Sequence, residues 1–169
     1  MTLENETRLS AFLDSLTTMP WFAEAGHPSE KYHVVADAVV AWDDWNAPML
    51  AVWNPRSQRL EDAARRTIGD KAIDEIFESV SAATEQAVVN GVRAYFARRP
   101  DETENTAIDV DRGLWPEIVG FVLRDTSWAA VETVLGQPDF FVALLRVYQE
   151  GRWPCSWKGR YPDGRFVVL

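Results

Sequence analysis

The sequence is poor in the residues that most often bind metals or form cross-links. It contains a single cysteine, Cys155, and two histidines, His27 and His33. One cysteine cannot form an intrachain disulfide, which suits the reducing cytoplasm. Neither histidine has a second histidine or a cysteine at the spacing of a zinc site. We therefore predict a cytoplasmic protein without a metal site.

Long apolar runs and catalytic motifs are also missing from the sequence. No stretch approaches the ~18 apolar residues of a membrane-spanning helix, and the acidic N-terminus lacks the pattern of a secretory signal. The chain has no glycine-rich dinucleotide fingerprint, no phosphate-binding loop and no nucleophile elbow. These absences predict no catalytic residue and no cofactor, and they favour a function other than catalysis.

Aromatic and acidic residues are abundant. Eight Trp, eight Phe and four Tyr occur in a chain of 169 residues that is 47% hydrophobic. These large apolar side chains are sufficient for the core of one domain. The formal net charge is −9 at pH 7. This charge disfavours binding to nucleic acid or to an anionic membrane, and it favours a basic protein partner.

Apolar residues recur every three to four positions over most of the chain, which indicates helices. The clearest helix is predicted over 70–98, with Ala87 and Val88 on its apolar stripe and acids near its N-terminal end. Another is predicted over 2–17, with Thr2 as N-cap and Leu3 on the apolar face. Further helices are predicted over 29–42, 48–53, 56–67, 116–124 and 127–135, and from Pro138 to Gly151.

The breaks between these helices are predicted at prolines and at short polar runs. Asp43 and Asp44 are interpreted as the end of the second helix, because Asp favours turns. Pro48 is expected to begin a short helix, and the Asn-Pro pair that ends at Pro55 is expected to stop it.

The last segment, 152–169, differs from the rest in charge and in pattern. Its net charge is +3, whereas residues 1–151 carry −12. The sequence Pro-Asp-Gly at 162–164 is typical of a tight turn between two short strands. A lone hairpin is marginal in water, so it must pack on helices or pair with another protein chain. The sequence thus predicts a mainly α fold, a single helical-bundle domain over 1–169 with a small C-terminal β-hairpin.

The closing segment 151–169, which reads GRWPCSWKGRYPDGRFVVL, resembles the C-termini of bacterial polymorphic-toxin immunity proteins. The resemblance covers only this end of the chain. It implies a non-enzymatic inhibitor that binds a cognate protein toxin in the bacterial cytoplasm and neutralises it. No catalytic residues carry over from such a family.

The charge pattern supports the same function independently. Toxins that attack nucleic acids or nucleotides tend to present cationic clefts, which an acidic protein can fill. Segment 101–112 carries five acids and one base, and Asp109 begins a pattern like a calcium loop. Gly120 stands where such a loop requires a bidentate Glu, so calcium binding is rejected. The predicted partner-binding residues are the acids of this segment with a nearby Trp, and a second group at 43–45: Asp101, Glu102, Glu104, Asp109, Asp111, Trp115, Asp43, Asp44 and Trp45.

Two other classes of protein stay open. A small helical enzyme or ligand-binding protein would have an enclosed pocket lined by Trp side chains and a few convergent polar groups. A structural subunit would have a large apolar self-interface. For segment 101–112 the plain alternative is a solvated connector between helices.

Overall fold

The computed structural model describes the backbone of residues 1–19, 21, 42–97, 115–149, 154–158 and 165–168, and the side chains of 1–19, 21, 50–91 and 119–149. This part of the chain is mainly helical. In chain order its elements are α1 (Leu3–Leu16), α2 (Trp42–Thr67), α3 (Asp70–Ala97), α4 (Trp115–Val134), α5 (Phe140–Gln149), β1 (Pro154–Lys158) and β2 (Arg165–Val168). Residues 29–41 of the helix predicted over 29–42 lie outside the described residues, as does the acidic segment 101–112.

Helix α1 has the predicted cap and most of the predicted apolar face. The Thr2 hydroxyl accepts a hydrogen bond from the Asn5 backbone N–H at 3.3 Å, which supplies an acceptor for a free donor of the first turn. The side chains of Leu9 and Leu16 are buried. The prediction for Leu3 is wrong, since this side chain is 80% exposed.

Helix α2 is one continuous helix where the sequence predicted two breaks. Asp43 and Asp44 lie in its first turn rather than at the end of a preceding helix, and Pro48 and Pro55 both lie inside it. A proline in a helix interior removes one backbone hydrogen bond and costs about 3 kcal/mol. Over its described side chains, 50–67, the helix packs on the core through Val52, Trp53 and Leu60, with Ala64 fully buried, and this packing offsets the cost of Pro55.

Helix α3 confirms the strongest sequence prediction, since Asp70–Ala97 matches the predicted 70–98 within a residue. Its buried stripe contains Ile76, Val80 and Val88, at the predicted helical spacing. Ala87 is exposed, so its predicted place on the apolar stripe is wrong.

Helix α4 is also continuous, whereas two helices separated near 125 were predicted. The polar residues that suggested a break have hydrogen-bond partners inside the fold. The Thr126 hydroxyl donates to the Val122 carbonyl oxygen at 2.7 Å, and the Ser127 hydroxyl donates to the Leu123 carbonyl oxygen at 2.9 Å. Because these hydroxyls are satisfied within the helix, they can be buried without interrupting it.

The turn between α4 and α5 combines a glycine with a carboxylate. Gly136 has a φ of +68°, and the Gln137 N–H donates to the Glu132 carbonyl oxygen at 2.9 Å, which is the hydrogen bond of a Schellman cap. Helix α5 begins at Phe140, two residues after the predicted start at Pro138. The first turn of α5 is capped by a side chain from α4, which the sequence did not predict.

The strands β1 and β2 pair antiparallel, with Trp157 opposite Phe166 and Lys158 opposite Arg165. Strand β1 lies near α2, and β2 lies near α5. The predicted turn, 162–164, lies outside the described part together with residues 159–161, so the hairpin as a whole stays a prediction.

Helix α4 lies at the centre of the described fold, because it packs against each of the other four helices. The Trp128 ring of α4 meets Phe77 of α3 edge to face, with ring centroids 5.0 Å apart. Phe141 of α5 packs against Trp53 of α2 in the same manner, at 5.8 Å. Trp128 also lies close to Phe141, with ring centroids 6.2 Å apart, so the aromatic residues connect α2, α3 and α5 to the central helix.

Candidate functional site

The sequence-predicted contact residues lie mostly beyond the described side chains. The acids Asp101, Glu102, Glu104, Asp109 and Asp111 are outside the described residues. For residues 43–45 the backbone forms the first turn of α2, and Trp115 is the first residue of α4. These positions stay predicted partner contacts.

A second group of acids lies on α3 and was not singled out from the sequence. Asp74, Glu78 and Glu85 have exposed side chains, and their spacing of four and seven places them on one side of the helix. We call these three residues the acidic face. It extends about 16 Å along the helix at 1.5 Å per residue.

The acids of the acidic face differ from the neighbouring acids Asp70 and Glu75 in forming no ion pair among the described residues. Asp70 pairs with Arg65 at 2.7 Å, and Glu75 pairs with Lys71 at 3.4 Å. Within the described part of the chain, no ion pair involves Asp74, Glu78 or Glu85. The negative charge of this face is therefore directed to solvent.

A buried carboxylate lies where α2, α4 and α5 meet. Asp125 Oδ1 accepts a hydrogen bond from Trp53 Nε1 at 2.6 Å, and Oδ2 accepts one from the Tyr148 hydroxyl at 2.7 Å. Burial raises the pKa of Asp125 to about 6, although both hydrogen bonds and the charge of Arg124 act in the opposite direction. The same burial, with the nearby Asp125 charge, raises the pKa of Tyr148 well above its usual value.

Arg124 lies beside this carboxylate with its guanidinium between aromatic rings. Its Cζ is 4.1 Å from the centre of the Trp53 ring and 4.6 Å from that of Phe121. Nε and Nη2 are buried and have no hydrogen-bond partner. The guanidinium is thus oriented by ring stacking rather than by an acceptor.

A second buried carboxylate belongs to Glu132 on α4. Oε2 accepts hydrogen bonds from the backbone N–H groups of Asp139 at 3.0 Å and Val142 at 2.8 Å, and Oε1 accepts one from Phe141 at 3.1 Å. Burial raises the pKa of Glu132 to about 7, against the lowering effect of these three bonds. This arrangement is a helix cap, and it explains why α5 begins at Phe140.

The sequence carried one signal for the buried aspartate that the predicted break concealed. When the helical spacing is continued through 119–134, Asp125 falls on the same face as Val122 and Ala129, which are both fully buried. An acidic residue on the face of a helix that packs in the core is expected to accept hydrogen bonds from nearby donors. The partners Trp53 and Tyr148 are distant in sequence, so only the tertiary structure identifies them.

The described residues contain no group of three or more His, Cys, Asp or Glu side chains able to hold a metal ion. Among the same residues, no helix has the length and apolarity needed to cross a membrane. No family model, curated protein or solved structure matches this chain.

Proposed function

We propose that this protein is a cytoplasmic immunity protein that binds and neutralises a cognate bacterial toxin with a basic surface. The observation that supports this proposal is the acidic face of α3, where Asp74, Glu78 and Glu85 are exposed and have no ion pair among the described residues. Carboxylates that only maintained internal ion pairs would not be available to a partner.

The acidic face has the properties of an electrostatic contact surface. Three unpaired carboxylates on one side of a helix attract a cationic partner over a range set by the ~8–10 Å Debye length at physiological salt. Such attraction raises association rates towards ~10⁸–10⁹ M⁻¹s⁻¹. An inhibitor that must reach a toxin before the toxin reaches its substrate benefits directly from this rate.

Two further groups of acids are proposed to contact the toxin beside the acidic face. They are the acids predicted within 101–111 and the pair Asp43 and Asp44. They carry the same sign of charge as the acidic face. In a complex with a basic cleft, all three groups would contribute to the on-rate, while Trp45 and Trp115 would supply buried anchors.

The test begins with the genes beside the one that encodes this chain. If one of them encodes a secreted toxin, its C-terminal domain is expressed in a bacterial host with and without this protein. The expected result is growth arrest by the toxin domain alone and rescue by co-expression. Calorimetry on the purified pair then gives the affinity at low and at high salt, and the affinity should fall as salt rises.

Charge reversal identifies the surface. Replacing Asp74, Glu78 and Glu85 with Lys should weaken binding at least about tenfold, mainly through the association rate. The matched control replaces three exposed acids of α1, Glu4, Glu6 and Asp14, with Lys, which changes the net charge equally. Equal losses in both triple variants would show that net charge alone matters, and absence of both rescue and binding would refute the immunity function.

A further inference from the structure

The guanidinium of Arg124 has one edge without an acceptor. Nε and Nη2 are the two nitrogens on that edge, and both are buried without a hydrogen-bond partner. This is the edge that forms two parallel hydrogen bonds with a carboxylate. Folding has therefore removed a strong donor pair from water and supplied no acceptor, which is an unfavourable arrangement for a purely structural arginine.

Two aromatic rings lie against the guanidinium of Arg124. The guanidinium carbon lies 4.1 Å from the Trp53 ring centre and 4.6 Å from the Phe121 ring centre. Trp53 is itself held by the hydrogen bond from its Nε1 to Asp125 at 2.6 Å. Because the rings restrict the side chain before any ligand arrives, binding loses little additional conformational freedom.

The adjacent carboxylate does not pair with this edge. Each oxygen of Asp125 already accepts a hydrogen bond, one from Trp53 and the other from Tyr148. No ion pair joins Arg124 to an acid within the residues that the structure describes. Among the described residues, Nε and Nη2 of Arg124 thus have no acceptor.

We propose that Arg124, held between Trp53 and Phe121, binds a carboxylate ligand through two parallel hydrogen bonds from Nε and Nη2. A planar carboxylate with one negative charge matches two donors on one edge. A phosphate would bring more charge into a chain of net charge −9, which opposes its binding. The aromatic surroundings favour a carboxylate attached to an apolar body.

The proposal does not depend on the immunity function. It uses none of the acidic face, and a ligand here could bind whether or not a toxin does. Both nitrogens are closed to solvent, while the Arg124 side chain as a whole is only partly buried. Entry therefore requires a local movement around Arg124, after which the bound carboxylate would be shielded from water.

The test is an NMR titration of the full ¹⁵N-labelled chain, observing the arginine Nε–H signals. Arg124 is assigned by the signal that disappears in Arg124→Lys. The probes are benzoate, inorganic phosphate, and a short peptide ending in Phe with a free or an amidated C-terminus. A saturable shift of the Arg124 signal with benzoate, with the free peptide or with both supports the proposal, and the pattern identifies the small-molecule or the peptide source.

Variants test whether the Nε and Nη2 groups of Arg124 account for the affinity for the carboxylate. Arg124→Lys keeps the charge but cannot form two parallel bonds, so its affinity for the carboxylate should fall about tenfold or more. Arg146→Lys on the exposed part of α5 is the control and should leave the affinity unchanged. If Arg124→Lys fails to fold, the Arg124 Nε–H signal is assigned in wild type by through-bond correlation to the Arg124 backbone amide, and the wild-type titration decides. The proposal is overturned if no carboxylate probe moves the Arg124 signal, if phosphate or the amidated peptide moves it equally, or if Arg124→Lys binds as wild type does.

Discussion

The carboxylate of Glu132 on α4 accepts a hydrogen bond from the backbone N–H of Val142 on α5 at 2.8 Å, across ten residues of chain. The same carboxylate accepts from the N–H groups of Asp139 and Phe141. The first turn of a helix normally takes its cap from the residue just before it. Here the cap comes from the preceding helix, so one side chain both satisfies the free donors of α5 and fixes the angle between α4 and α5.

Replacing Glu132 with Ala should destabilise the fold by about 2–4 kcal/mol, because it leaves buried backbone donors of α5 without acceptors. The free energy of unfolding is measured by urea denaturation followed by circular dichroism. Glu85→Ala, on the exposed side of α3, is the matched control and should change stability by no more than about 0.5 kcal/mol. Equal effects in the two variants would contradict the capping role.

Because Asp125 and Glu132 are buried, we expect the free energy of unfolding to fall as the pH rises. The folded-state pKa is about 6 for Asp125 and about 7 for Glu132, both above the usual values of 3.8 and 4.5. The folded state therefore holds these protons more tightly than the unfolded state, and the free energy of unfolding decreases between about pH 4 and pH 7. Each group contributes about 3 kcal/mol to this decrease.

Urea denaturation at intervals from pH 4 to pH 8 measures this dependence. Asp125→Asn and Glu132→Gln each remove one titrating group, so each variant should show a shallower decline with pH, whatever its stability at a single pH. A wild-type stability that rises with pH over this interval, or variants with unchanged slopes, would contradict the prediction.

Local sequence signals were sufficient to predict that the fold is mainly helical, and they predicted the ends of two helices to within about a residue. Helix α1 and helix α3 begin and end where capping residues and apolar spacing predict, since those signals lie within the helices themselves. The errors occur where tertiary contacts override local preference. Pro55 is tolerated inside α2 because the helix packs on the core, and Asp125 is tolerated inside α4 because Trp53 and Tyr148 donate to it. The neighbouring hydroxyls of Thr126 and Ser127 are satisfied locally, by carbonyl oxygens of the same helix.

The hydrogen-bonded cluster of Trp53, Asp125 and Tyr148 could not have been predicted as a site, because its members are far apart in sequence. Trp53 and Asp125 are separated by 72 positions, and Tyr148 lies 23 positions beyond Asp125. A single sequence shows that Asp125 falls on an apolar face, but not which donors meet it. The acidic face of α3 could have been predicted from the sequence, since the spacing of Asp74, Glu78 and Glu85 places them on one side of any helix that includes them.

Pro55 offers a direct measure of how strongly packing holds α2 together. Its side chain is exposed, and it removes one backbone hydrogen bond from the helix interior. Pro55→Ala restores the N–H group and should raise the free energy of unfolding by about 1–2 kcal/mol, after allowing for the greater freedom of the unfolded chain. Pro138→Ala, just before α5, is the control and should give no such increase. A loss of stability in Pro55→Ala would show that the proline is required.

Gly91 and Gly120 both lie within helices, but replacing each with Ala is expected to change the free energy of unfolding in opposite directions. At Gly91 on α3, an added Cβ would lie 1.7 Å from the carbonyl oxygen of Trp21, whose side chain is buried. Gly91→Ala must therefore displace this backbone from α3 and should cost about 2–4 kcal/mol. At Gly120 on α4 nothing lies within 4 Å of the added Cβ, so Gly120→Ala should stabilise the helix by about 0.5–1 kcal/mol. Urea denaturation of both variants beside wild type tests the pair, and a neutral Gly91→Ala would show that the close approach of Trp21 is dispensable.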